Sequence, residues 1–301
     1  MPADGLTMPP TPTATLQHRA EQIAGRLPPL LVAAERVAAT IAQGVHGRRR
    51  VGQGETFWQF RQYEPGDSAQ RIDWRESAKS ERLFVRETEW EAAQSVWLWR
   101  DASPSMAYAS DPALGTKRAR AELLLVALAA LLVRGGERIA LLEGGLPPAS
   151  GRVALNRLAL LVERGGAGAG SLPAFDTLPR HGQLVLFGDF LSPLPEVHRA
   201  LARFAGLGVH GHLVQILDPA EETLPFEGRI RFEGMEEDDT MLISRVETVR
   251  DQYVERLTAH RDGLAALARG FGWSFATHRT DRPPHTALLA LYAVLGGLKG
   301  R

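Results

Sequence analysis

The chain has no cysteine among its 301 residues, and this absence excludes several kinds of site at once. Without thiols it can have no disulfide framework, no thiolate zinc site and no cysteine nucleophile. The absence fits a reducing compartment, so we expect a cytoplasmic protein. Hydrophobic residues make up 44% of the chain, which is enough for an ordinary globular core.

The chain also lacks an excess of charge of either sign and a long hydrophobic run. Lys+Arg and Asp+Glu both number 35, which argues against a protein that coats nucleic acid or an acidic membrane. The most apolar segment, residues 121–133, contains Glu122 and is too short to span a bilayer. The beginning of the chain has no signal-peptide layout. We therefore expect a soluble protein with no nucleic-acid partner and no transmembrane segment.

Composition and periodicity divide the chain into three segments. Residues 1–45 read as a Pro- and Thr-rich tail followed by a helix, and residues 46–95 are β-rich, charged and aromatic. Residues 96–301 alternate strands and helices, as an α/β fold does. The predicted strands of this third segment are 96–100, 138–142, 183–187, 210–217 and 273–277, with a hairpin over 226–244. Its predicted helices are 117–134, 153–164, 195–205, 247–269 and 286–295.

Oxygen-bearing side chains follow two of these strands. Asp101, Ser103 and Ser105 end the first strand, and Asp189 ends the strand at 183–187. In a parallel sheet both carboxylates would lie on one rim, where ligands gather, and the loop around Ser171 could reach the same rim. Hard oxygens suit Mg²⁺, which takes few protein ligands. A helix start capped by Ser103 or Ser105 is an equally good explanation of the spacing.

Two stretches of sequence resemble known families. The string Asp101-Ala-Ser-Pro-Ser-Met106 resembles the metal-ion-dependent adhesion site of von Willebrand factor A-like domains. The upstream strings FRQYEPGD (60–67), RIDWR (71–75) and SA (77–78) resemble the bacterial family called domain of unknown function 58. In that family the upstream block precedes an A-like domain that begins with such a string. The resemblance covers residues 48–190 closely, and the upstream block is its specific part.

The resemblance implies a fold and a set of metal ligands. The fold would be a von Willebrand factor A-like (Rossmann-like) α/β domain over 96–301, a mostly parallel sheet flanked by helices. The block at 46–95 would be a small β-rich subdomain. Ser103 and Ser105 would hold Mg²⁺ through their hydroxyls, and Asp101 and Asp189 would contribute directly or through water. Ser171 is the nearest match to the family's third-loop threonine.

Arg100 departs from the family pattern, which has an apolar residue there. Successive residues of a strand point to opposite faces of the sheet, so Arg100 and Asp101 would point apart. The flexible guanidinium of Arg100 could still fold over and pair with Asp101. Such a pair would compete with a bound dication.

The implied function is that of a non-enzymatic, protein-binding adaptor. Such proteins are thought to work with MoxR-type AAA+ ATPases and a client protein in chaperone-like or stress-related assembly. The alternative is an Mg²⁺-dependent phosphohydrolase with Asp101 as nucleophile. Phosphoaspartyl enzymes need a second carboxylate two residues later as acid and base, where this chain has Ser103. A hydroxyl of ordinary acidity cannot shuttle that proton near neutral pH, so the adaptor is favoured.

Overall fold

The computed structural model describes residues 29–44, 57–63, 72–80, 82–88, 93–165, 170–235 and 240–297. The Pro- and Thr-rich tail predicted at the start of the chain lies outside these residues. The strands are β1 (Phe57–Gln62), β2 (Phe84–Thr88), β3 (Ser95–Arg100), β4 (Arg138–Leu141), β5 (Gln183–Gly188), β6 (His210–Leu217), β7 (Ile230–Glu233), β8 (Thr240–Ile243) and β9 (Ser274–Arg279). The helices are α1 (Pro29–Gly44), α2 (Trp74–Ser77), α3 (Lys117–Arg134), α4 (Gly151–Glu163), α5 (Leu194–Gly206), α6 (Pro219–Thr223), α7 (Glu247–Gly270) and α8 (Pro284–Gly297).

Five strands form one sheet in the order β4-β3-β5-β6-β9. All four pairings are parallel, and Leu98 of β3 lies between Leu141 of β4 and Val185 of β5. The expected α/β class and mostly parallel sheet are confirmed. Because β4 and β5 lie on opposite sides of β3, the direction of strand succession reverses between β3 and β5. Ligand sites of open α/β sheets lie at such a switch point, outside the carboxyl ends of the strands.

Helices cover both faces of the sheet, so its central strands are buried on both sides. Val96 and Leu98 belong to a core shared with α1, α3, α4 and α8. Trp97 and Trp99 point to the other face and pack in a core with α5 and α7. Alternate residues of β3 thus serve two different cores, which explains why the strand is apolar throughout rather than amphipathic.

The helix α3 is enclosed on nearly all sides. The ten residues from position 123 to 132 include nine buried ones. Thr116 caps its beginning by accepting a hydrogen bond from the Ala119 N–H at 3.1 Å. At its end Gly136 adopts a φ of 80°, which glycine tolerates best. The buried helix expected at this place is confirmed. No helix in the described part of the chain combines the length and apolarity needed to cross a bilayer.

The block before β3 contains a separate small sheet. β1 and β2 pair antiparallel, and α2 lies between them in the chain. The Ser77 hydroxyl at the end of α2 donates to the Asp73 carbonyl at 2.7 Å and accepts from the Phe84 N–H at 2.9 Å. This serine therefore ties α2 to the beginning of β2. The hairpin expected over 226–244 is present as the antiparallel pair of β7 and β8.

Candidate functional site

The carboxylates of Asp101 and Asp189 follow β3 and β5, the two strands at the switch point of the sheet. The backbone N–H of Asp101 donates to the Phe187 carbonyl at 2.8 Å and so continues the pairing of the two strands. Both residues are therefore held at the same edge by the sheet itself. The sequence argument required this placement.

Four side chains form a continuous row of polar contacts here, which we call the rim cluster: Asp101, Ser103, Ser105 and Asp189. The Ser103 hydroxyl lies 2.6 Å from Asp101 Oδ1 and 3.0 Å from the Ser105 hydroxyl. The Ser105 hydroxyl lies 2.8 Å from Asp189 Oδ2. The Ser103 backbone N–H also donates to Asp101 Oδ1 at 2.8 Å. Two loops separated along the chain by more than eighty residues are thus joined through oxygen atoms.

With both carboxylates ionised, the three side-chain contacts of the rim cluster would have only two protons to share. Its three side-chain contacts join four oxygens, but the two hydroxyls carry one proton each. When both carboxylates are ionised, one oxygen pair must face each other with no proton between. A nearby cation stabilises such a pair, since both oxygens can direct lone pairs at it. The rim cluster therefore has the chemistry of a cation site.

Three members of the rim cluster are buried and one is partly open. Asp101 is 0% exposed, Ser103 and Asp189 are each 2% exposed, and Ser105 is half-buried. Any ligand from solvent would therefore approach on the Ser105 side.

The capping explanation of the serines is not what the structure has. Ser103 stands at the N-cap position of a short 3₁₀ turn, Pro104–Ala107, but its hydroxyl makes no capping bond. It points instead to the carboxylate of Asp101. Of the two explanations left open by the spacing, the oxygen cluster is the one that this geometry supports.

Gly188 makes the close approach of the two strands' ends possible. A Cβ atom added at this position would lie 3.0 Å from the Cβ of Asp101 and 3.3 Å from its Oδ2. Both separations are tighter than ordinary contacts between carbon and its neighbours. A larger residue would therefore push the Asp101 side chain out of its place in the rim cluster.

Lys117, the first residue of α3, is a part of the site that the sequence argument missed. Its side chain is 0% exposed, and its ammonium lies 2.9 Å from Asp189 Oδ2 and 2.6 Å from Glu221 Oε1. Burial alone would lower the pKa of Lys117, but the two carboxylates outweigh it and raise the pKa above its usual value. The lysine is therefore charged, and it is the internal cation next to the rim cluster.

A sequence signal for this role did exist. The first turn of a helix carries the positive end of the helix dipole, so a lysine is electrostatically misplaced there. Such a residue points to a carboxylate partner nearby. The partner Glu221 was hidden because the short helix α6 that carries it was not predicted.

Two arginines lie beside the site: Arg118 binds the backbone of the loop after β3, and Arg100 pairs with a residue of α3. Arg118 donates to the carbonyls of Ala102 and Ser103 at 2.7 and 3.1 Å and so fixes the loop after β3. Arg100 forms an ion pair with Glu122 on α3 at 3.0 Å. β3 directs the Arg100 side chain toward this helix, where Glu122 neutralises it. Burial lowers the pKa of Arg100, while the charge of Glu122 and, to a smaller extent, that of Asp101 oppose this effect.

Ser171 stands apart from the other four predicted ligands. Its hydroxyl contacts the Ser192 hydroxyl at 3.2 Å, in the loop that follows Asp189. Residues 166–169, in the loop around Ser171, lie outside the described residues. The structure thus brings Asp101, Ser103, Ser105 and Asp189 together and leaves Ser171 at their side, linked to the same loop.

The histidines of the described ranges do not form a second site. His212 lies between Ser274 and Gln183, with contacts of 2.8 and 3.0 Å, and burial lowers its pKa to about 4. Over the described ranges, no three His, Asp or Glu side chains are arranged as a metal-ligand group. A metal at the rim would therefore have to rely on the serine hydroxyls as well as on carboxylates.

These features define an α/β protein with a carboxylate and hydroxyl cluster at the switch point of a parallel sheet. The model of the family described as "Protein of unknown function DUF58" matches residues 59–263, and the chain belongs to this family. It is similar to uncharacterized proteins of Mycobacterium tuberculosis and Mycobacterium bovis. Each is 29% identical over 246 residues, which cover 77% of this chain and 76% of the relative.

Two solved structures are also similar to the chain. A conserved hypothetical protein BatB from Bacteroides thetaiotaomicron is 12% identical, with a TM-score of 0.35, and the match covers 69% of this chain and 100% of that one. An aerotolerance-related membrane protein from Bacteroides fragilis is 13% identical, with a TM-score of 0.37, over 67% of this chain and 98% of that one. Likeness at this level carries no argument about function.

Proposed function

We propose that the protein is a non-enzymatic cytoplasmic adaptor with a von Willebrand factor A-like domain, which binds another protein through its rim cluster. The observation that carries this proposal is the row of four side-chain oxygens in the rim cluster, joined by contacts of 2.6, 3.0 and 2.8 Å. It lies at the switch point, where the fold favours ligand binding.

The spacing of the oxygens supports Mg²⁺ as the cation. Adjacent ligands of an octahedral Mg²⁺ ion, with bonds of about 2.0–2.1 Å, lie about 2.9 Å apart. The Ser103–Ser105 and Ser105–Asp189 oxygen pairs are separated by 3.0 and 2.8 Å. Asp101 would orient the Ser103 hydroxyl rather than bind the ion directly, because its Oδ1 already accepts two hydrogen bonds from Ser103. When bound, Mg²⁺ would supply a coordination position for a carboxylate of the partner.

The burial of Asp101 argues against the alternative, a phosphohydrolase. A nucleophile has to meet the substrate's phosphorus atom, but this side chain is 0% exposed and its Oδ1 is engaged by Ser103. The position two residues later holds the Ser103 hydroxyl, which cannot act as the acid and base near neutral pH. The adaptor needs neither an exposed nucleophile nor a proton shuttle.

The partner is proposed from the family resemblance. We propose a MoxR-type AAA+ ATPase as the partner and an additional, unidentified client protein, in chaperone-like or stress-related assembly. A partner glutamate or aspartate that reaches the half-buried Ser105 side would complete the site. The formal net charge of zero leaves short-range contacts, rather than long-range attraction, to select this partner.

The test is the capture of the purified MoxR-type ATPase from the same genome, measured with the full chain by biolayer interferometry without nucleotide. We expect Mg²⁺ to tighten binding about tenfold relative to chelator, and Ser103→Ala to remove this gain. Ser192→Ala deletes a hydroxyl outside the rim cluster and is the matched control, which should bind as the wild type does. Because the ATPase itself can bind Mg²⁺, the comparison between the serine variants at constant Mg²⁺ decides the result.

Two outcomes would contradict the proposal. Equal capture by wild type and Ser103→Ala in Mg²⁺ would remove the metal from recognition. Phosphatase turnover that requires Mg²⁺ and disappears in Asp101→Asn would show an enzyme instead. Circular dichroism spectra of the variants should match the wild type, so that a loss of capture reports on the site.

A further inference from the structure

The buried ammonium of Lys117 occupies a place that a bound metal would need. It lies 2.9 Å from Asp189 Oδ2, and the same oxygen accepts the hydrogen bond of Ser105 at 2.8 Å. This carboxylate oxygen is therefore shared between the rim cluster and a positive charge built into the chain. A fully buried lysine is rare unless it is paired, and Asp189 is one of the partners that allow Lys117 to be buried here.

A second carboxylate gives Lys117 another partner. Glu221 Oε1 lies 2.6 Å from the ammonium, and Glu221 Oε2 accepts the Asp218 N–H at 2.9 Å. The second contact holds the glutamate at the beginning of α6, where it forms a capping box. Lys117 can therefore give up Asp189 and keep a charged partner, so the loss of one ion pair does not leave its ammonium unpaired.

We propose that Lys117 is the resident cation of the rim cluster and that a divalent ion must displace its ammonium from Asp189. This inference rests on the proposed function in so far as the rim is a metal site. It adds that Lys117 sets the affinity of that site, since two cations at one carboxylate oxygen repel each other. In the absence of a divalent ion, the ammonium supplies the positive charge that the oxygen row requires.

The exchange also reaches elements away from the rim. Lys117 would transfer fully to Glu221, whose backbone carbonyl accepts a hydrogen bond from the Tyr253 hydroxyl of α7 at 2.7 Å. The state of the rim is thereby connected to α6 and α7 through one lysine side chain. Metal binding would strengthen the Lys117–Glu221 ion pair without any rearrangement of the sheet.

The experiment measures Mn²⁺ binding to the full chain from the electron paramagnetic resonance signal of the free ion. Lys117→Gln keeps a hydrogen-bond donor but removes the charge, and Lys117→Met removes both. We expect each variant to bind Mn²⁺ at least about tenfold more tightly than the wild type. Adding Ser103→Ala should abolish the gain. Lys79→Gln, which removes an exposed lysine, is the control for net charge and should bind as the wild type does.

A folding defect in one variant would not hide the result. If Lys117→Met unfolds, Lys117→Gln carries the test, and Mn²⁺ should raise its melting temperature more than that of the wild type. The inference is overturned if Lys117→Gln binds Mn²⁺ no more tightly than the wild type, or if the gain survives Ser103→Ala. A wild type that binds no Mn²⁺ beside a variant that does would support this inference and overturn the metal in the proposed function. Partner capture that is equally strong in Mg²⁺ and in chelator would count against the proposed function alone.

Discussion

Replacing Lys117 by methionine should destabilise the fold strongly, and removing Asp189 as well should restore part of the loss. The substitution leaves two carboxylates, Asp189 and Glu221, without the ammonium that lies 2.9 and 2.6 Å from them. Removing one partner of a buried pair costs about 3–5 kcal/mol, because the remaining charge is desolvated and unpaired. Asp189→Ala alone should cost less, since Lys117 retains Glu221.

The double variant Lys117→Met/Asp189→Ala isolates the interaction. Residues in direct contact show coupling energies of about 0.5–3 kcal/mol, and we expect about 2 kcal/mol here because the Lys117 side chain is fully buried. Urea unfolding followed by circular dichroism, with an unchanged dependence on denaturant, gives the four free energies of unfolding. Additive losses in the two single variants would refute the reasoning. The same cycle shows that Asp189→Ala is a poor probe of partner binding, since it disturbs stability as well.

Three other predictions concern the surroundings of the site. The pKa of His212 is lowered to about 4 by burial, so its contribution to stability is complete above its unfolded pKa near 6.5 and is lost as the pH falls toward 4. The wild type should lose unfolding free energy between pH 7 and pH 5, and His212→Gln should make this loss smaller by about 2 kcal/mol. A variant that loses as much as the wild type would contradict the role of His212. Gly188→Ala should cost about 1–3 kcal/mol by crowding Asp101; unfolding in urea at the wild-type midpoint would exclude this crowding. Glu122→Ala should cost about 3–5 kcal/mol because it strands the buried Arg100, while Arg100→Met/Glu122→Leu should lie near the wild type; a double variant as unstable as the single one would show that the pair itself is needed.

Most of the α/β alternation was accessible from the sequence because its elements carry strong local signals. The strand at 210–217 agrees with β6 residue for residue, and α3 and its glycine stop agree as well. The other boundaries of the main sheet and its helices moved by one or two residues, because the residues at the end of an element pair only in part. The five-residue α6 was missed, although Asp218 and Glu221 have the spacing of a capping box. A helix of that length has too few apolar positions to show a period.

The residues of the candidate site could be predicted only where they are close in the sequence or follow neighbouring parallel strands. Asp101, Ser103 and Ser105 are neighbours in sequence, and Asp189 follows from the rule that parallel strands share an edge. Lys117 and Glu221 come from two different helices and meet only because of tertiary packing. Whether Arg100 turns toward Asp101 or toward α3 depends equally on Glu122, which lies one turn inside that helix. Pair contacts of this kind leave no periodic trace in one sequence.

The apolar enclosure of α3 has a consequence for how the protein would respond to a ligand. Its first residue is Lys117, while most of its length is wedged between the sheet and neighbouring helices. Sliding or tilting such a helix would open voids in a close-packed interior, which is costly. Events at the rim should accordingly be transmitted by the rotation of a few side-chain bonds, and the backbone should superimpose closely before and after association. The proposed partner would therefore meet a rim whose backbone geometry is already fixed.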